Sequence, residues 1–483
     1  MTAGAAETPR WWAEVQAQLE SILPGLRVAF YASGGSAYHH AALVAHWGGV
    51  PVPLSAREIS SGGLSAFDVL VMPGGGLNGM AGLLHPLGRG GAEAIRAWVE
   101  AGGRYIGSCA GAYLPARWPS GFAQDHAEQR RLQLLDLPIA NASEQGLGGL
   151  NSPGVGVVEA ELQDSGHWLS TGLPHRFLVV HYNGPCFLPP GDCGWGVTRV
   201  AGRSGAFTPW EEMLGGTGDE TGDETGDDGS FLADGLIRQG ASNVVAAPCG
   251  AGDVVLFGSH PEFGFSPLQL GWGVAARLFG NALATSRSRN RAGGGVRSTL
   301  PDQASHHPDL SRLADSCQHA ADRLERWHSS PGSVRTSPGF LGLTATELWQ
   351  QGLLEAAQLG QGVAVALRGL EQTAAIPASL HHWIDTPAPD AQDYGFVGLV
   401  QLVAQVHALM DRAETLQSTG LPVHTSPYGD WPDHPYHLLV SSYLSAAGLM
   451  ADAALATGTL IRLGHADVRL PHPLFSTERS HHD

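Results

Sequence analysis

Two rhythms of apolar and polar positions divide the chain. Up to about residue 284 the apolar residues come in short runs of strand length between glycine-rich turns, at 26–31, 50–54, 67–72 and 104–107. Each run is bounded by turn residues and reads as a buried strand. Helical spacing appears between them, at about 37–47 and again at 90–101, where Ile95, Trp98 and Val99 form one apolar face. Strand, glycine turn and helix in succession predict a doubly wound, mostly parallel sheet, an α/β fold of flavodoxin-like type. From 154 the pattern turns to alternation, in Val155 to Ala160, Phe177 to Tyr182 and 194–201. Residues 241–247 are expected to pair with 253–257 as a hairpin across the glycine loop 248–252, and a last helix is expected near 271–284.

Beyond 309 the strands disappear. The period of 3.6 takes over at 309–328, 344–373, 393–418 and 435–463, which predicts a separate all-α helical bundle. An amphipathic set, Trp11, Trp12, Val15, Leu19 and Ile22, predicts a short helix ahead of the first domain. The expected organisation is an N-terminal helix in 1–25, an α/β domain over 26–285, a Ser/Arg/Gly-rich linker over 286–308, a helical domain over 309–465 and a tail over 466–483. Inside the first domain, 215–229 repeats Thr-Gly-Asp-Glu twice and then degenerates, which reads as a disordered acidic surface loop. Its acids do not follow the alternate spacing of an EF-hand.

The candidate chemistry gathers where the fourth strand ends. In Gly107-Ser108-Cys109-Ala110-Gly111 two glycines flank a cysteine at the spacing of a nucleophile elbow, in which small neighbours let a strained turn lift the nucleophile above the sheet. A helix starting just after it would aim the Ala110 N–H at the reacting carbonyl. Far downstream, an apolar strand ends in His260-Pro261-Glu262. Residues i and i+2 of an extended segment share a side, so Glu262 can orient the His260 imidazole while the ring faces the cysteine. Cysteine, base and orienter are the parts of an acyl-transfer triad. His181 is the rival base; it ends a strand but has no carboxylate two residues on, which favours His260. The turn Pro73-Gly74-Gly75-Gly76 lacks the continuation of a dinucleotide fingerprint. It is either a plain tight turn or the source of a second oxyanion donor, from Gly75 or Gly76.

With these motifs the α/β half resembles the class I glutamine amidotransferase-like superfamily. Cys109-Ala110-Gly111-Ala112-Tyr113 and His181-Tyr182-Asn183-Gly184-Pro185 are most similar to the branch named for the N-terminal domain of biotin–protein ligase. The resemblance extends over about 26–283. It implies a catalytic triad of Cys109, His260 and Glu262, a backbone oxyanion hole from Gly75, Gly76 and Ala110, and pocket candidates Tyr113, His181, Tyr182 and Asn183. Glutaminases of the superfamily usually carry glutamine four residues after the cysteine. Tyr113 stands there, which argues against free glutamine as the substrate.

Composition narrows the remaining classes. The formal net charge is −18, and none of the 27 basic residues is a lysine. An acidic chain with no basic stripe is a poor partner for nucleic acid. Without lysine there is no Schiff-base chemistry, no P-loop lysine and no lysine to hold a biotinyl-adenylate, so biotin ligation is not expected. Five cysteines without framework spacing, and an N-terminus without a signal-peptide pattern, point to a cytoplasmic protein; no membrane-spanning run is expected. His434 and His437 have the i, i+3 spacing of a metal pair but lack the glutamates of a bundle metal site, so no metal and no cofactor are expected. The expectation is a cysteine-dependent amidase or amidotransferase-like hydrolase acting on a small amide or related carbonyl. Its alternative is a non-catalytic sensing or binding domain whose helical half contacts a protein partner.

Overall fold

A computed structural model describes residues 23–75, 79–117, 132–141, 155–191, 193–208, 230–284, 309–328, 345–373, 376–387, 395–418 and 435–464. The expected N-terminal helix, the loop 215–229, the linker 286–308, the tail, Gly76, His434 and the side chain of His437 lie outside what is described.

Ten strands form one sheet in the order β10-β6-β5-β7-β8-β9-β4-β3-β1-β2. They are β1 Arg27–Tyr31, β2 Val50–Leu54, β3 Val69–Met72, β4 Arg104–Ser108, β5 Val155–Leu162, β6 Arg176–Tyr182, β7 Gly196–Thr208, β8 Ser242–Cys249, β9 Gly252–Phe257 and β10 Ser259–His260. The half β2-β1-β3-β4-β9 is parallel throughout, the doubly wound order, and β8 joins it through the expected antiparallel hairpin with β9. The remaining strands pair antiparallel.

Both faces of the parallel half are covered, which is why its strands read as unbroken apolar runs rather than alternating ones. Val28 and Phe30 of β1, Ile106 of β4 and Val255 and Phe257 of β9 enter one core cluster. Their neighbours Ala29, Tyr31, Tyr105, Val254 and Leu256 enter the other. Helix α1 (Tyr38–His46) covers the first face. Helices α2 (Ala56–Ser60), α3 (Gly79–Glu100) and α4 (Ala110–Tyr113) cover the second. Helix α3 is interrupted at Gly88 (φ 59°, ψ −171°), two residues after Pro86, so the predicted helix 90–101 corresponds to its second segment. Helices α5 (Ser230–Gln239) and α6 (Ala276–Ala284) complete this half.

The helical half comprises α7 (Leu310–His328), α8 (Ala345–Thr373), the short α9 (His382–Asp385), α10 (Leu399–Ser418) and α11 (Pro435–Gly464). It continues the first core cluster and docks where β1 ends. The Phe396 N–H donates to Ala32 O at 2.8 Å, and the Tyr38 hydroxyl both donates to Val397 O and accepts from its N–H, each at 2.9 Å. Phe30, Tyr38, Trp383 and Phe396 pack their rings together across this seam. One stretch of α11, Ser445–Gly464, is long and apolar enough to cross a membrane, contrary to the expectation that no run would be, but 72% of it is buried inside the fold as a core helix.

Candidate active site

The carboxyl ends of the parallel strands converge on Cys109. Strand β4 delivers it between β3 and β9, and the chain turns there with φ 47° and ψ −113° before α4 begins at Ala110. A non-glycine residue held in this region costs about 1–3 kcal/mol. The turn persists because its amides are committed on both sides. Cys109 N–H donates to Phe257 O at 2.9 Å, Gly111 N–H to Pro73 O at 3.1 Å and Ala112 N–H to Cys109 O at 2.9 Å. The flanking glycines are required by space. A Cβ on Gly107 would stand 2.5 Å from Gly111 O, and one on Gly111 would stand 2.3 Å from Met72 O. Cys109 is half-buried.

His260 and Glu262 follow β9. Gly258 permits the sharp step between the strands, since a Cβ there would lie 1.7 Å from Pro185 O. Strand β10 then pairs with β6, and the His260 Nδ1 approaches Glu262 Oε1 at 2.7 Å. With the carboxylate at Nδ1, the network assigns the second nitrogen, Nε2, to the space on the cysteine side. Phe263 stacks on the ring at 4.2 Å with the planes 3° apart, so the imidazole is held by packing as well as by the carboxylate. Burial works against charge on His260, but the Glu262 carboxylate and then the Cys109 sulfur outweigh it and hold the ring well above its ordinary range, at about 10. Burial likewise opposes the Glu262 charge, and His40 and His260 overcome it, holding the carboxyl down at about 2. The pair is therefore stable as an ion pair.

The thiol and the imidazole flank one small space. A methyl placed on Gly74 would touch Cys109 Cβ at 3.4 Å, His260 Cε1 at 3.5 Å and Cys109 Sγ at 3.9 Å. The thiol itself donates to Tyr182 O (Sγ to O 3.3 Å) and makes no well-aligned hydrogen bond to His260 Nε2, although the sulfur lies within interacting reach of the ring. Although the thiol proton points to Tyr182, the sulfur is close enough to stabilise charge on the ring.

The other residues singled out from sequence fall into two groups. Ala110 opens α4, so its N–H has no acceptor within the helix and stands directly after the nucleophile candidate. Gly75 follows Gly74 on the loop facing the same space, and Gly76 lies outside the described residues. Tyr182 and Asn183 are half-buried at the site's edge, Asn183 with φ 50°. Tyr113 and His181 are enclosed. The Tyr113 hydroxyl donates to Asn183 O and accepts from Asn141 Nδ2, each at 3.0 Å, and Asn141 also binds Gly184 O and Cys186 N–H. Tyr113 thus fastens the elbow helix to the loop after β6 rather than facing the opening. His181 is fully buried, its Nδ1 3.1 Å from the Ser259 hydroxyl across the β6–β10 ladder. Burial, and then His260, lower its pKa to about 3, so it is a neutral imidazole behind the pair.

Three contacts were not anticipated. Ser108 Oγ donates to Glu262 Oε1 at 2.8 Å, His40 Nε2 stands 3.3 Å from the same oxygen, and Gly74 of the glycine turn faces the pair. Ser108 adjoins the cysteine and was visible as a small polar neighbour. His40 sits in an apolar helix, with nothing local to mark it. Among the described residues no three metal-type side chains are arranged to hold an ion.

Residues 64–133 match the family model for biotin-protein ligase, N terminal. The match includes the glycine turn and Cys109, in agreement with the resemblance of the motifs, and stops before His260 and Glu262. No curated protein matches the chain. Two solved structures are similar over part of this chain. One is described as a candidate GMP synthase component from Thermoplasma acidophilum (14% identity, 55% of this chain and 95% of that chain, TM-score 0.31). The other is a ThuA-like protein from Bacteroides uniformis (13% identity, 61% of this chain and 98% of that chain, TM-score 0.31). At these values neither bears on function.

Proposed function

We propose that the α/β half is a cysteine-dependent hydrolase or amidotransferase-like enzyme acting on an amide or related carbonyl through a thioester on Cys109. The observation that carries this reading is the strained elbow: Cys109 sits at φ 47° above the parallel strand ends, facing the same space as an imidazole whose far nitrogen is bound by Glu262. In the first half-reaction Cys109 attacks as the thiolate held by the His260 imidazolium, the S–C bond forms and the carbonyl oxygen takes the electron pair. The oxyanion donors in this reading are the Ala110 N–H at the start of α4 and the backbone of the glycine turn. Collapse of the intermediate breaks the C–N bond, and His260 gives its proton to the departing amine. Water, deprotonated by the same nitrogen, then releases the acid and restores the thiolate beside the His260 imidazolium. The test is to incubate the protein with a panel of anilides and activated amides and to measure intact mass. An acyl adduct mapped to Cys109 and absent from Cys109→Ala supports the reading. Ligand binding without any adduct or amine release would make the site a binding pocket instead.

A further inference from the structure

The second histidine on Glu262 is unused by the reaction just described. His40 lies in the first turns of α1, 2% exposed, its ring edge-on to Phe279 of α6 at 5.2 Å and 69°. Neither ring nitrogen makes a regular hydrogen bond, yet Nε2 is 3.3 Å from Glu262 Oε1. That oxygen already accepts from His260 Nδ1 and Ser108 Oγ. A buried imidazole with no partner is costly to keep, and an apolar residue of similar size would fill the same place against Phe279 without that penalty. At 3.3 Å the two atoms are within hydrogen-bond distance but the ring N–H is not well aligned on the oxygen, and poorly aligned contacts are usual in an unliganded site and tighten on binding.

We propose that His40 is a positioning residue for His260: a neutral imidazole that directs its Nε2 proton at Glu262 Oε1 and keeps that oxygen aligned on His260 Nδ1. This rests on the acyl-transfer reading of Cys109. The titratable groups facing His40 are Glu262 and His260 from the β10 end and His39 from its own helix. Burial, assisted by His260 and opposed by Glu262, lowers the His40 pKa, so at neutral pH the ring is uncharged and its single proton is available to the carboxylate. One positive charge is thereby confined to His260, where it can stabilise a thiolate.

The test needs no substrate. The rate of Cys109 alkylation by iodoacetamide is followed from pH 5 to 9 by peptide mass mapping in wild type, His40→Leu, His40→Phe and His40→Gln, with circular dichroism to check the fold. Glutamine can place an amide N–H near the position of Nε2, whereas leucine and phenylalanine fill the space without a donor. The expected result is that the apolar variants shift the pH–rate profile upward by about one unit, which is about tenfold slower alkylation at pH 6.5, and that His40→Gln stays within about twofold of wild type. Phenylalanine retains a ring against Phe279 and serves if the leucine variant does not fold. A folded apolar variant with the wild-type profile overturns the role of His40, as does a folded glutamine variant as impaired as the apolar ones. A wild-type profile no different from that of an ordinary thiol overturns the acyl-transfer reading and this inference with it.

Discussion

The elbow can be tested by relieving its strain. Cys109→Ala and Cys109→Gly both remove the sulfur and its bond to Tyr182 O, so the difference between them isolates the backbone. Alanine must keep φ 47° and ψ −113°, whereas glycine adopts that region freely. Strain of this kind is worth about 1–3 kcal/mol. Against it stand the greater freedom of glycine in the unfolded chain, about 0.5–1 kcal/mol, and the loss of one half-buried methyl, about half of the roughly 0.8 kcal/mol for a buried carbon. The balance leaves Cys109→Gly more stable than Cys109→Ala by about 1 kcal/mol. Urea unfolding of the two variants, followed by tryptophan fluorescence at equal slopes, measures this difference. Equal midpoints, or a more stable alanine variant, would refute the claim that the turn stores strain at this position.

Two further outcomes follow from the geometry. Gly74→Ala meets only ordinary contacts of 3.4–3.9 Å and should unfold within about 0.5 kcal/mol of wild type; its methyl occupies the space between sulfur and ring, so acylation of Cys109 should fall roughly 100-fold, and wild-type acylation would show that the substrate does not enter there. The stabilisation that wild type holds over Glu262→Gln should be largest between about pH 4.5 and 6.5. It should decline as pH rises through the raised His260 value of about 10, because the unfolded histidine no longer carries the proton, and decline again as pH falls towards the depressed Glu262 value of about 2; a difference in urea midpoint that does not change with pH would contradict the ion pair.

Much of the architecture was legible because it follows local period. Helices expected at 344–373 and 435–463 appear as Ala345–Thr373 and Pro435–Gly464, and the hairpin of β8 and β9 appears in the anticipated register region. The elbow was legible from glycines that backbone contacts require at 107 and 111. What escaped was long-range. No local pattern says that His40 of α1 meets Glu262, or that Phe396 and Val397 of the helical half bind Ala32 and Tyr38 beside the site. His181 illustrates the limit of position along a strand. It was a rival base as a strand end and a pocket candidate through the resemblance, but successive strand residues face opposite sides, and its side is the one closed by Ser259 while Tyr182 keeps the edge.

The central claim is that Cys109 is activated by His260, and the five cysteines provide an internal comparison. Burial pushes the Cys186 and Cys317 thiols up to about 12 and, with Glu100, raises that of Cys249, whereas Cys193 is exposed and serves as the accessible control. Limiting iodoacetamide at pH 6.5, followed by peptide mass mapping in native and then denatured protein, measures their order of reaction. Activation by His260 predicts that Cys109 is labelled ahead of Cys193 and the other three, and that His260→Ala removes this lead while the fold is retained. A Cys109 that labels no faster than Cys193, or that keeps its lead without His260, would contradict it.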